Sequence, residues 1–173
     1  VITEYAGTTG LVVDSSQQIY VVTTKSGPNV MSLMKFNSSG TMTFKVDISM
    51  SSDGRVMGMK IGPDGFLYLW AYCKAASGRG EMVLFKFDTS GNLQYQRAFT
   101  STASGWSVSV GSTQKDCLDI DSNGFVYLGI GTAQYPSSVN TRIFFKYKSD
   151  GGTTGSYTIS GQNVTIAAGA YTV

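Results

Sequence analysis

The sequence predicts an all-β protein assembled from repeated four-stranded antiparallel units. Three observations predict it. Two blocks of residues recur three times along the chain, and Gly-, Asp-, Asn- and Ser-containing turns bound each short apolar run. No stretch sustains three turns of amphipathic helical periodicity.

The first recurring block reads VVDSSQQIYVV, KIGPDGFLYLW and DIDSNGFVYLG. In each copy an aliphatic residue (Val13, Ile61, Ile120) precedes a four-residue turn and a strand carrying Tyr20, Tyr68 or Tyr127. The second block reads LMKFNSSGTMTF, LFKFDTSGNLQY and FFKYKSDGGTTGSY. Here Lys35, Lys86 and Lys146 align, each followed by an aromatic (Phe36, Phe87, Tyr147) and then a turn glycine (Gly40, Gly91, Gly151). Successive tyrosines lie 48 and 59 residues apart and successive lysines 51 and 60. That period suits a four-stranded unit of roughly 40–50 residues with longer loops in the later copies.

Each element follows from local chemistry. From Phe66 to Tyr72, aromatics alternate with Leu67, Leu69 and Ala71, so both faces of this strand are apolar and both should be covered. The turns PDG, SNG and TSG place glycine where a tight hairpin needs a positive φ. Gln17 stands where the other copies have Gly65 and Gly124, which predicts a different geometry for the first turn. The third copy departs at its end, where TGSYTISGQNVTI replaces the expected fourth strand.

The predicted organisation is three units at about 5–52, 53–112 and 113–152, followed by a C-terminal β segment at 153–173. Radial repetition of small sheets is the β-propeller solution to exposed strand edges. Closed propellers usually have about four to eight blades, and this chain supplies three. Further blades outside the chain, two copies closing a six-bladed ring, or a stack that does not close all satisfy the pattern.

Composition narrows the function classes. At 173 residues, 42% hydrophobic and 14% charged, the chain can bury a core and builds its polar surface from uncharged residues. A net charge of +2 with no Lys/Arg cluster offers no phosphate-neutralising surface, so no nucleic-acid partner is expected. No apolar run approaches the roughly 20 residues that span a bilayer, so no membrane insertion is expected. The chain starts at Val1 without a signal-peptide pattern, which reads as a processed product or a piece of something longer. Histidine is absent, which removes the commonest general base and metal ligand. Cys73 and Cys117 form no CxxC pair; they read as inert buried thiols, or as a disulfide if the strands carrying them are neighbours.

The patterns Asp-x-x-Gly-x-x-Tyr and Lys-aromatic-x-x-x-Gly-x-x-x-aromatic resemble the β-propeller repeat family of bacterial surface proteins and tailed-phage virion proteins. Ile120, Asp121, Ser122, Gly124 and Tyr127 match its first part, and Lys86, Phe87, Gly91 and Tyr95 its second, with Tyr95 where the family often has Trp. The match covers roughly residues 10 to 150. The run KYKSDGGTTGSY with SGQNVTIAAGAYT is similar to the closing segment of repeat-bearing structural proteins from tailed phages of marine bacteria. The resemblance implies a virion component such as a tail, fibre or capsid appendage, located in the extracellular particle. Its partners would be other virion subunits, further copies of itself, and a host-surface glycan.

Three sets of candidate residues remain. Asp119, Asp121 and Asn123, ahead of Gly124, have the opening spacing of a calcium loop. Ile130 stands where that loop needs its bidentate Glu, and hairpin-turn formation accounts for Asp121, Asn123 and Gly124 equally well. No metal or cofactor is therefore assigned, calcium being the one candidate. Sugar stacking or subunit contact would use Trp106, which lies in an insertion outside the repeat, then Trp70, Tyr72 and Tyr135. Trp70 and Tyr72 read equally as unit core. Catalysis would need a carboxylate pair such as Asp47 with Asp53 or Asp116 with Asp119, and scattered loop acids are usually solvated, so no enzyme is expected. The sequons at Asn37 and Asn163 matter only in a eukaryotic secretory setting.

The expected function is a phage virion scaffold, with contact surfaces in loops 25–30, 74–81, 101–115 and 132–141. The alternative is a carbohydrate-binding module of a bacterial surface or secreted protein.

Overall fold

The computed structural model describes residues 10–25, 29–51, 54–74, 80–101, 106–108, 117–134, 139–159 and 162–173. The described residues form antiparallel β-structure without a helix. The first sheet holds β1 (Gly10–Val13), β2 (Ile19–Lys25), β3 (Val30–Phe36) and β4 (Met42–Ser49) in chain order. The second is built the same way from β5 (Arg55–Ile61), β6 (Leu67–Lys74), β7 (Gly80–Phe87) and β8 (Leu93–Ser101). In the third, β11 (Phe125–Gln134) pairs with β12 (Val139–Lys148) along one edge. Its other edge meets β10 (Leu118–Ile120) and β9 (Trp106–Val108) end to end. The three sheets are separate, and none closes on itself.

The C-terminal segment goes elsewhere. The hairpin β13 (Gly155–Ile159) and β14 (Gln162–Ala168) joins the edge of β8, making the second sheet six-stranded. Among the described residues no strand pairs with the outer edge of β12, and the fourth strand of this sheet is β9, on the β11 edge. Beyond β14 the chain crosses to the first sheet, where the Ser49 amide donates to the Thr172 carbonyl at 2.9 Å. Gln96 donates to the Tyr171 carbonyl at 2.8 Å, and the Tyr171 hydroxyl donates to Glu81.

The strand that is apolar on both faces, β6, lies in the central sheet. Leu67, Leu69, Ala71 and Cys73 face the first sheet and pack with Tyr20, Val22 and Leu33. Tyr68 and Trp70 face the third sheet and pack with Val126, Leu128 and Phe145. Burial of both faces follows from period-two alternation in a middle layer. Each large apolar side chain buried there contributes on the order of 2 kcal/mol.

The turns repeat too, including the one expected to differ. Gly65 and Gly124 adopt φ of 77° and 78°, and Gln17 adopts the same left-handed conformation at 59°. The Gln17 amide donates to the Asp14 carbonyl at 3.0 Å, as Gly124 donates to Asp121 at 3.0 Å. The Asp14 carboxylate, accepting from the Ser16 and Gln18 amides, holds the loop firmly enough to impose φ > 0 on a residue with a Cβ. A glycine is thus unnecessary at that position.

Both cysteines are free. Cys73 lies in the core between the first and second sheets, whereas Cys117 lies against the core between the second and third. The central sheet separates them, so the disulfide the sequence left open does not form. Burial pushes the Cys73 thiol far up, with the Glu81 charge adding to it.

Candidate functional site

Each unit carries one Asp, one Tyr and one Lys in the same arrangement. The Tyr20 hydroxyl donates to Asp14 at 3.2 Å, Tyr68 to Asp64 at 2.6 Å and Tyr127 to Asp121 at 2.9 Å. The lysine paired across the hairpin lies over the tyrosine ring: Lys35 at 5.2 Å, Lys86 at 5.1 Å and Lys146 at 5.6 Å from the centroid. The register demands this, because Tyr20, Tyr68 and Tyr127 are the cross-strand neighbours of Lys35, Lys86 and Lys146. In the second unit the acid comes from a different turn position. Gly62 occupies the place of Asp14 and Asp121, and a Cβ there would lie 2.6 Å from Asp64 and 2.7 Å from the Tyr68 ring.

The lysines join one sheet to the next. Lys35 donates to the carbonyl of Thr89, in the β7–β8 turn of the second sheet, at 3.1 Å. Lys86 donates to the carbonyl of Ser149, in the turn that follows β12, at 3.0 Å. An aromatic packs beside each contact: the turn glycine Gly91 lies against Phe44, and Gly151 against Tyr95. Lys86 also pairs with Asp64 at 2.8 Å and is largely enclosed. Burial acts to raise the Asp64 carboxyl, but hydrogen bonds from Lys86, Tyr68 and the Phe66 amide outweigh it and hold the group below its ordinary range. Burial acts to lower the Lys86 ammonium, and its bonds with Asp64 and Tyr68 reverse that and raise it. Burial and the Asp14 charge push Tyr20 up to about 12.

At the third sheet the series stops. Lys146 is exposed and rests over Phe125 at 4.0 Å, with no turn carbonyl beyond it among the described residues. Its face of the sheet is open. Phe144 is 79% exposed and Tyr127 40%, although Tyr20 and Tyr68, at the same place in the repeat, are fully buried. A groove of about 370 Å³ opens there, lined in part by Cys117, Asp119, Tyr127, Gly129, Phe144 and Lys146. Apolar rings with one acid and one base at the margin suit a docking surface better than a polar pocket.

The candidates read from the sequence scatter across this architecture. Trp70 is fully buried, donates to the Gly129 carbonyl at 3.1 Å and meets Phe99 edge-on at 5.2 Å. It pins the second sheet to the third and cannot meet an outside ligand. Tyr72 is half-buried against the same core. Trp106 lies in β9, whose backbone pairs it with Gln134; its side chain, and all of Tyr135, fall outside the described residues. Most of the four proposed contact loops, with Asp53 and Asp116, fall outside them too. Asp47 pairs with Lys45 at 3.0 Å.

The calcium candidates diverge. Asp121 spends one oxygen on the amides of Asn123 and Phe125, both at 2.9 Å, and the other on Tyr127. Those amide bonds, the Phe125 one foremost, hold its carboxyl low. Asp119 turns to Lys60 at 3.6 Å. Among the described residues no three His, Cys, Asp or Glu converge as a metal site.

Sequence reasoning passed over the open face, although its signal was present: Tyr127 and Lys146 hold the repeat positions of Tyr20 and Lys35, which face a neighbouring sheet. No protein-family model and no curated protein matches this chain.

Proposed function

We propose that this chain is a scaffold module of a tailed-phage particle, whose three sheets act as propeller-like blades and whose loops serve attachment to a host surface. The lysine contacts carry the scaffold part of this reading. Two successive sheets are each fastened to the next by a charge-assisted hydrogen bond, a ring contact and a shared core. Such repetition yields a stiff stack whose end faces are suited to assembly. The particle assignment rests on the resemblance of the repeat motifs and the closing segment.

Antibodies raised against the chain test it by electron microscopy of the particles made by the phage whose genome encodes it. Label at a fixed place on intact particles is the expected result. Label confined to lysate protein, with bare particles, sinks the reading.

One observation favours a carbohydrate-binding module as the second reading. The Tyr127 and Phe144 rings stand beside Asp119 and Lys146 in an open groove, a combination that can stack on and hydrogen-bond a sugar. A panel of bacterial surface glycans titrated against tryptophan fluorescence separates the two. A saturable change abolished in Phe144→Ala moves the assignment to a lectin; a flat response keeps the scaffold.

A further inference from the structure

Past β14 the chain leaves the sheet ladder, yet it is held closely over residues 169–172. The Gly169 amide donates to the Gln96 carbonyl at 3.1 Å. The Gln96 side chain grips Tyr171 at two points: its nitrogen donates to the Tyr171 carbonyl at 2.8 Å, and its oxygen accepts from the Tyr171 amide at 3.2 Å. The Thr172 carbonyl accepts from the Ser49 amide of the first sheet at 2.9 Å. Each of these bonds goes to a main-chain atom of the segment. Any extended chain laid in the same place can make them, which is how a strand of variable sequence is held beside a sheet.

Two positions are selective. Tyr171 sets its ring edge-on to Phe85 at 6.0 Å, and its hydroxyl donates to Glu81, four residues from Phe85 on β7. At Gly169 a Cβ would stand 2.9 Å from the same Gln96 side chain that grips Tyr171. Ala170 and Thr172 are exposed. The slot therefore reads Gly-x-Tyr-x, with alternate residues turned inward. The segment is also replaceable. The outer edge of β8 is already sealed by β14, so lifting residues 169–172 strips no strand of its ladder. It breaks the isolated bridge between Ser49 and Thr172 and uncovers the slot. Segments held in this way open at the low end of a protein's local stability.

We propose that the slot formed by Gln96, Glu81, Phe85 and Ser49 is a peptide-recognition site. Its own residues 169–172 close it, and a Gly-x-Tyr-x strand of another polypeptide takes their place when they lift. Gln96 and Ser49 hold the main chain of that strand, while Glu81 and Phe85 hold its tyrosine. The bound segment is tethered, and a short tether acts at about millimolar effective concentration, so an incoming strand meets a strong competitor. This goes beyond both readings given above and rests on neither.

A fluorescein-labelled peptide with the sequence of residues 167–173 tests it, titrated with the 173-residue chain from about 1 μM to 1 mM and followed by anisotropy. Two full-length variants weaken the tethered segment and leave the slot intact. Tyr171→Ala removes the ring and hydroxyl, and Gly169→Ala crowds Gln96. Both should bind the peptide at least about tenfold more tightly than the wild type does. A peptide with Phe in place of Tyr should bind about tenfold more weakly, through loss of the hydrogen bond to a carboxylate. One with Ala in place of Gly should lose at least as much. Circular dichroism of each variant confirms folding.

Hydrogen exchange at the Ser49 amide reports on the slot itself. Its protection should fall in both variants and return when the unlabelled peptide is added. Absence of saturable binding to either variant up to about 1 mM overturns the proposal, whether or not Ser49 has lost its protection. Equal binding to wild type and variants also overturns it, because the segment would then not be what fills the slot. So does equal binding of the Phe and Ala peptides, which would place the label on a non-specific surface. None of these outcomes bears on particle labelling or on glycan titration, so the earlier readings and this one fail separately.

Discussion

Lys86 and Lys146 occupy one place in the repeat and differ only in what lies beyond them. Lys86 is largely enclosed, pairs with Asp64 and reaches the Ser149 carbonyl. Replacing it with Met strands a half-buried carboxylate and a carbonyl, and should cost about 2 kcal/mol. Lys146→Met, on an exposed face, should cost the protomer under about 0.5 kcal/mol. Urea denaturation at a concentration where the chain is monomeric checks both; equal losses would remove the distinction between a joined and an open lysine. Acid titrates the same cluster. Because Asp64 is held below its ordinary value of 3.8, its contribution is full above that value and is lost as pH falls through the lower folded-state value. Melting temperature should therefore drop as the pH is taken below about 4, and Asp64→Asn should be less stable near neutrality and flatter in that range. An unchanged slope in the variant would assign the acid sensitivity to other carboxylates. Sequence alignment lined up the three tyrosines and the three lysines but not their pairing across the hairpin, and an acid common to all three units was obscured because the second supplies it two residues later than the others do.

The turns divide into those that touch another sheet and those that do not. Gly91 has φ of +89°, and a Cβ there would lie 3.0 Å from both Phe44 and Val46. Gly40 has φ of +81° and open space around it. Gly40→Ala should cost about 1 kcal/mol from backbone strain alone, and Gly91→Ala about 2–3 kcal/mol, because the first sheet must give way. Urea midpoints compare them directly, and similar losses would show that the first sheet does not press on that turn. Gln17 tests the converse. Its left-handed φ of 59° is strained for a residue with a Cβ, so Gln17→Gly should gain about 0.5 kcal/mol after the entropy of the unfolded glycine is deducted. Strand positions were legible because period-two alternation and turn glycines are local signals. The conformation of Gln17 was not, because Asp14 imposes it from three residues away. The path of β13 and β14 was equally hidden: nothing local says which open edge a hairpin will join, and the edge of β8 was chosen over that of β12.

Across the whole molecule, stability depends on a middle layer that shares one core with each neighbour. Trp70 spans the boundary with the third sheet, so Trp70→Ala should cost about 3–5 kcal/mol, and Trp70→Phe should recover most of the packing while leaving the Gly129 carbonyl unpaired. The tail has a different role. Tyr171 joins Glu81, Gln96 and the Phe85 ring while Thr172 holds Ser49. Tyr171→Ala should therefore release amide protection at Ser49 as well as along β8, a pattern that hydrogen exchange resolves residue by residue. That the chain is all-β and arranged in repeats could be read from its sequence. That the closing segment does not continue the third sheet beyond β12 could be glimpsed, since it breaks the pattern. The open face could not, because exposure is a property of neighbours and the repeat predicts the neighbours only up to its own end. The diverted hairpin also gives the protein a history. On a ribosome, β8 is finished at Ser101, but the strand that seals its edge begins at Gln162. At about 5–20 residues per second, that leaves a bare β-edge waiting for roughly 3–12 seconds. Throughout that interval the unpaired edge of β8 is open to wrong partners, and the arrival of β14 closes it.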